Sequence, residues 1–252
     1  MSHAAVLLAG GKSSRMGRDK SALLVNGEPL WQHQLATLHA TEPAELFISG
    51  KSDGPYADCG VEILTDEFPD CGPLGGIATA LRRCKSDYVL VLAVDMPAMT
   101  AEFLRTLLDE SQRTAKGIIP SVAADGSGTG VPPVVVRRAS RLPIRPPPDS
   151  HSDMDKRDAR PTLTDETSVP LRSAPLSFRM RQTRLEPLAA IYPRTALPIA
   201  EECLRTGEFK LETFIRALEA HGLAIIRPVE AEQAALFTNW NTPDDVPSPE
   251  TE

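Results

Sequence analysis

Long apolar runs are missing from this chain of 252 residues. The longest of note, Val89–Val94, falls far short of the ~20 residues that cross a bilayer, so no membrane span is expected. An excess of basic charge is missing too. The 27 Lys and Arg residues face 34 Asp and Glu, for a net charge of −7, which argues against a dedicated nucleic-acid binder with a basic face. Cysteine is scarce: Cys59, Cys71, Cys84 and Cys203 show no CxxC spacing. A disulfide framework or a zinc site is therefore not expected, and free thiols in a reducing compartment are. The opening MSHAAVLLAGGK lacks a basic start and its apolar run breaks at Gly10–Gly11, so no signal peptide is read and a cytoplasmic location is expected. His3, His33, His39, His151 and His221 fall into no ligand spacing, which leaves them surface or capping roles.

Hydrophobic residues make up 41% of the chain and charged residues 24%, enough for a core under an ordinary polar surface. Short apolar runs alternate with helix-compatible stretches. Residues 4–8, 45–49, 61–64, 88–94 and 117–122 read as strands, and 30–40, 74–84 and 100–113 as helices. The run Tyr88–Val94 is apolar at every position, as in a central parallel strand covered on both faces. Trp31 is expected in the core. This alternation predicts an α/β fold with a mostly parallel sheet. Later, 188–192 reads as a strand, 194–206 and 211–221 as helices, and 224–226 and 236–238 as short strands.

One segment breaks the pattern. Residues 137–184 contain seven prolines, eleven Lys or Arg against six Asp or Glu, and Phe178 as their one aromatic. Such a stretch buries too little apolar surface to offset chain entropy. The expected organisation is a single domain over 1–246, interrupted by a disordered Pro/Arg-rich insertion at 137–184, with a flexible tail at 247–252.

Chemistry concentrates first in Leu8-Ala9-Gly10-Gly11-Lys12-Ser13-Ser14-Arg15-Met16-Gly17-Arg18-Asp19-Lys20. A strand runs into a glycine-rich loop with four basic residues and one acid. Glycines let backbone N–H groups approach an anion closely, and the basic side chains neutralise phosphate charge. The spacing fits neither GxxxxGK[ST] nor GxGxxG. Asp95 follows the most apolar strand of the chain and so belongs at its carboxyl end, where ligands of open α/β sheets bind. A carboxylate there suits Mg²⁺, which takes one or two carboxylates plus substrate phosphates. Asp66 follows another strand and serves equally as a turn residue or a nucleotide contact. Gly72-Pro73-Leu74-Gly75-Gly76 opens a helix whose first N–H groups can face an anion.

The ordered set of motifs resembles the molybdenum cofactor guanylyltransferases, within the Rossmann-like nucleotidyltransferases. LAGGKSSRMGRDK resembles their signature loop, and Gly27-Glu28-Pro29-Leu30-Trp31 their NGxPLW segment. Asp66 with Gly72–Gly76 resembles their acidic residue and GPLxG turn, Asp95-Met96-Pro97 their DxP motif, and Asn239-Trp240-Asn241-Thr242-Pro243 their NxNTP segment. The similarity spans about 4–112 and 186–246. Ser49 departs from it, standing where the family often has Asn.

The resemblance implies a Rossmann-like sheet with helices on both faces, of the nucleotide-diphospho-sugar transferase type. It implies transfer of GMP from GTP to the terminal phosphate of molybdopterin, with release of pyrophosphate. Leu8, Ala9, Gly10, Gly11, Lys20, Asp66 and Asp95 would bind the nucleotide, Arg15, Lys20 and Asp95 would act in transfer, and Asp95 would hold Mg²⁺. Asn239 and Asn241, two apart on a short strand, would contact the acceptor. LAGG accompanies guanine use in the family, whereas cytidylyl relatives tend to LAAG. Partners would be the two substrates and, transiently, molybdoenzymes or cofactor-delivery proteins. The alternatives are cytidylyl transfer to molybdopterin, transfer to a sugar or polyol phosphate, and a non-catalytic nucleotide-binding regulator.

Overall fold

A computed structural model describes residues 1–10, 24–25, 27–68, 70–123 and 183–240. Two apolar strands form the middle of its sheet. β1 (His3–Leu8) and β6 (Tyr88–Ala93) run parallel in register from His3↔Tyr88 to Leu8↔Ala93, and β6 is buried throughout. On the other side of β1 lie β4 (Glu45–Ser49) and then β5 (Glu62–Leu64), both parallel to it. A small antiparallel pair, β2 (Leu24–Val25) and β3 (Glu28–Pro29), stands apart from this sheet.

Beyond β6 the sheet continues through β9 (Ala189–Pro193), β7 (Gly117–Ala123) and β10 (Ala224–Pro228). β9 is antiparallel to both neighbours, whereas β10 is parallel to β7. β8 (Thr183–Leu185) pairs antiparallel with the end of β7, so Thr183 and Arg184 are strand residues and not part of an insertion. Their partners are Ala123 and Val122. The rest of the expected insertion and the expected tail lie outside the described residues. The described residues all belong to one unit, Met1–Gly130 with Arg181–Glu252. The fold is thus the expected α/β type.

Alternation along the strands loads both faces. Val6, Val89, Val91, Ala190 and Tyr192 face one core with α2 (Pro73–Arg83), α4 (Leu197–Thr206) and α5 (Leu211–Ala220). Ala5, Leu7, Leu90 and Leu92 face a second core with α1 (Leu30–His39) and α3 (Ala101–Thr114). Trp31 lies in this second core, as expected. Each fully buried Leu or Val contributes roughly 1.5–3 kcal/mol relative to exposure, which is why every-position apolar strands sit centrally. The Thr100 hydroxyl caps α3, accepting from Phe103 N–H at 3.3 Å.

Residues 236–238 are not a strand. Ala231–Phe237 forms a 3₁₀ helix that drops Phe237, fully buried, edge-on against Phe103 at 5.4 Å. A chain turn also separates β8 from β9. Glu186 N–H donates to Pro120 O at 2.8 Å, Ala93 N–H to Leu188 O at 2.8 Å, and the buried Tyr192 hydroxyl to Pro187 O at 2.8 Å. Tyr192→Phe keeps the ring and removes that last bond. It should cost about 1 kcal/mol in urea unfolding with an unchanged m-value; an unshifted midpoint would show that the turn holds without it.

Candidate active site

After β1 the chain fills β4 and β5 on one side and then returns to β6 on the other. Such a reversal of strand order opens a crevice at the carboxyl ends, here between β1 and β6. Leu8 O accepts from Val94 N–H at 3.1 Å, so the two chains stay adjacent as they leave the sheet. Ala9 and Gly10 N–H both donate to Ser49 O, at 2.9 and 3.0 Å. A Cβ on Gly10 would stand 3.4 Å from Gly50 Cα, a tight approach. Leu8, Ala9 and Gly10 thus follow β1 at this edge, with the Ala9 and Gly10 N–H groups engaged by Ser49 O. Gly11, Arg15, Lys20 and Asn241 lie outside the described residues.

Asp95 stands two residues past β6, half-buried at the crevice. Its turn is fixed through three successive carbonyls. Asp95 O accepts from Trp240 N–H at 2.9 Å, Met96 O from the fully buried Gln34 Nε2, and Pro97 O from His33 Nε2 at 3.2 Å. The last bond requires Nε2 of His33 to carry its hydrogen. Gln34 Oε1 is buried without a partner among the described residues. Sequence reasoning missed Gln34 and gave His33 only a surface or capping part. The available signal was a run of three polar residues, Gln32-His33-Gln34, on a helix beside the buried Leu30 and Trp31.

Asp66 sits at the mouth of β5, its Oδ1 accepting from Phe68 N–H at 2.9 Å. Partial loss of water lifts its carboxyl above the ordinary range, the Phe68 bond pulls it down, and neighbouring Glu67 adds to the rise. Two glycines seat this loop on α2. A Cβ on Gly75 would lie 2.8 Å from both Asp66 Oδ1 and Phe68 O, and one on Gly76 would lie 2.7 Å from Ser49 Oγ and 3.2 Å from Leu8 Cδ2. The motif is thus more than a turn, since it lets the first turns of α2 pack directly on β1, β4 and Asp66. Helix α2 also starts here with no side-chain cap, and Pro73 at its start brings no N–H.

Asn239 is half-buried beyond the 3₁₀ helix, in chain without regular structure, so the two-apart strand argument for it and Asn241 does not hold. Its Oδ1 is buried without a partner among the described residues. Those residues contain no group of three or more His, Cys, Asp or Glu able to hold a metal ion. A concavity of about 600 Å³ lies at the opposite edge beside Met1, Asp87, Tyr88 and Arg194; the carboxyl-edge crevice is singled out by its chemistry, not by its volume.

The sequence profile of the MobA-like NTP transferase domain matches residues 5–222. The chain belongs to this family. It is a nucleotidyltransferase. A probable molybdenum cofactor guanylyltransferase of Opitutus terrae is 29% identical over 96% of this chain and 92% of its own. A molybdenum cofactor guanylyltransferase of Histophilus somni is 34% identical over 56% of this chain and 72% of its own. Among solved structures, molybdopterin-guanine dinucleotide biosynthesis protein A of Archaeoglobus fulgidus shares the fold, with TM-score 0.61 at 20% identity over 96% of this chain and 94% of that one. So does 2-C-methyl-D-erythritol 4-phosphate cytidylyltransferase of Thermus thermophilus, with TM-score 0.58 at 17% identity over 96% and 94%.

The close approach of α2 predicts a specific rescue. Gly76→Ala should destabilise by about 1–3 kcal/mol through overpacking. Adding Ser49→Ala removes the nearest obstacle and should recover a good part of the loss in a double-mutant cycle. Strict additivity of the two changes would contradict the contact.

Proposed function

We propose that this chain transfers GMP from GTP to the terminal phosphate of molybdopterin, forming the guanine dinucleotide cofactor and pyrophosphate. The observation that carries this reading is the convergence of the Leu8–Gly10 backbone and Asp95 at one crevice, with Asn239–Trp240 tied to the same turn. The names of the relatives from Opitutus and Histophilus support the choice of substrates.

In this reading the backbone at Leu8–Gly11 and the Asp66 loop hold the nucleoside. A terminal phosphate oxygen of molybdopterin forms a bond to the α-phosphorus of GTP. The bond from that phosphorus to the bridging oxygen breaks, and its electron pair leaves with pyrophosphate. Such a transfer depends on positioning and charge neutralisation, and needs no protein nucleophile. Arg15 and Lys20 offset charge on the α-phosphate and the departing pyrophosphate. Asn239 and Asn241 take the acceptor, and the buried, unpartnered Oδ1 of Asn239 offers an acceptor atom to a pterin N–H.

Asp95 would hold Mg²⁺. A half-buried carboxylate at the carboxyl edge of the sheet suits an ion that takes its other ligands from phosphates and water. When bound, the ion supplies charge neutralisation at the phosphate oxygens. No described helix is long and apolar enough to cross a membrane; a cytoplasmic location is proposed from the family resemblance. Residues 137–182 are proposed to be an insertion into a single domain, outside this machinery. Transient contacts with molybdoenzymes would pass the product on.

Asp95→Asn keeps the shape and removes the charge. It should lower transfer by at least about a hundredfold while the melting temperature changes little; near wild-type turnover in Mg²⁺ would remove Asp95 from the metal role. Calorimetry should show GTP bound at least about tenfold tighter than CTP. Equal affinities would favour the cytidylyl alternative.

A further inference from the structure

Glu186 is the most deeply placed carboxylate among the described residues, with 4% exposure at the turn between β8 and β9. A charge there is costly unless it is paired. Arg184, two residues earlier in β8, supplies the pair: its Nε lies 2.5 Å from Glu186 Oε1. The side chain of Arg184 is 60% exposed, so the guanidinium reaches inward from the surface to a carboxylate that cannot reach out. Burial lifts the Glu186 carboxyl, and Arg184 pulls it back down.

The second arm of the guanidinium has another task. Arg184 Nη2 donates to Phe237 O at 3.4 Å. Phe237 anchors the end of the 3₁₀ helix in the core, and three residues on Trp240 N–H is held by Asp95 O at 2.9 Å. The span 237–240 is thus fixed at both ends, by Arg184 at one and by the Asp95 turn at the other. Asn239 lies between them. A span this short has little freedom to re-aim Asn239 without breaking one of the two bonds.

We propose that Arg184 and Glu186 are positioning residues for the acceptor side of the crevice, setting the placement of Asn239 and so the affinity for the acceptor but not for GTP. This rests on the acceptor role given above to Asn239. If the pair served stability alone, an apolar side chain in place of Glu186 would often serve as well, because burying its charge carries a desolvation cost. The partition between substrates follows from the sheet order. Gly10 and Asp66 hang from β1 and β5, on one side of β6, whereas Arg184 and Glu186 hang from the β8–β9 side.

The test uses the full chain with Glu186→Gln, Arg184→Met and Arg184→Lys. An ammonium at 184 can keep the pair with Glu186 but lacks the rigid fork by which Arg184 bonds Glu186 through Nε and Phe237 O through Nη2. Four quantities are read: KM for molybdopterin, kcat, the calorimetric Kd for GTP without acceptor, and the hydrogen-exchange rate of the Trp240 amide in the ligand-free protein. The proposal expects KM for the acceptor to rise about tenfold in Arg184→Met and Glu186→Gln, less in Arg184→Lys, with GTP Kd within about twofold of wild type. It also expects the Trp240 amide to exchange about tenfold faster. Parallel loss of GTP and acceptor binding would reduce the pair to a structural role. Faster exchange with an unchanged acceptor KM would detach the segment from acceptor binding. Should wild type itself fail to use molybdopterin, the acceptor reading falls with it, and unchanged Trp240 exchange in the variants would then overturn the positioning claim on its own. Arg184→Lys, which keeps a cation beside Glu186, keeps the test open if either of the other variants does not fold.

Discussion

Past the last paired residues of β1 and β6, the bond from Val94 N–H to Leu8 O carries the parallel pairing one step beyond the sheet. That step keeps the glycine loop and the Asp95 turn side by side where the strand order reverses. The groups on either side depend on it. Gly10 can lean onto Ser49 O because Leu8 is held, and Trp240 can hang from Asp95 O because Val94 is held. The cost of ordering these loops is met by the buried strands beneath them, which keep no freedom of their own.

The site is fixed through main-chain atoms more than through its functional side chains. Three successive carbonyls, of Asp95, Met96 and Pro97, take their donors from the C-terminal segment and from α1. Close backbone approaches at Gly75 and Gly76 fix the Asp66 side in the same manner. This arrangement fixes the backbone on either side of the Asp95 carboxylate. A nucleotidyl transfer that works by positioning and neutralisation needs such rigidity more than it needs a reactive protein group.

Asp95 was legible in the sequence because an every-position apolar strand has one place in an α/β sheet, and its end names the ligand edge. The sequence-level family resemblance added the loop and the substrates. What failed was long-range. The partners of Thr183 and Arg184 are Ala123 and Val122, some sixty residues away, and a composition window cannot see that pairing. Gln34 bonds a carbonyl 62 residues distant, and the helix pattern around it does not say which carbonyl. The direction of β9 is equally invisible in the run LAAIY. Residues 236–238 looked strand-like because Leu and Phe fit either element in so short a stretch, and burial of Phe237 against Phe103 decided for the 3₁₀ turn.

The central claim is that the β1/β6 crevice joins the α-phosphate of GTP to an acceptor phosphate. Following GTP labelled separately at the α- and γ-phosphorus, with and without molybdopterin, tests it most directly. The account predicts that the α-label moves into a molybdopterin-linked product while the γ-label leaves as pyrophosphate, both only when the acceptor and Mg²⁺ are present. Release of the γ-label as inorganic phosphate, or α-label transfer that ignores molybdopterin, would contradict it.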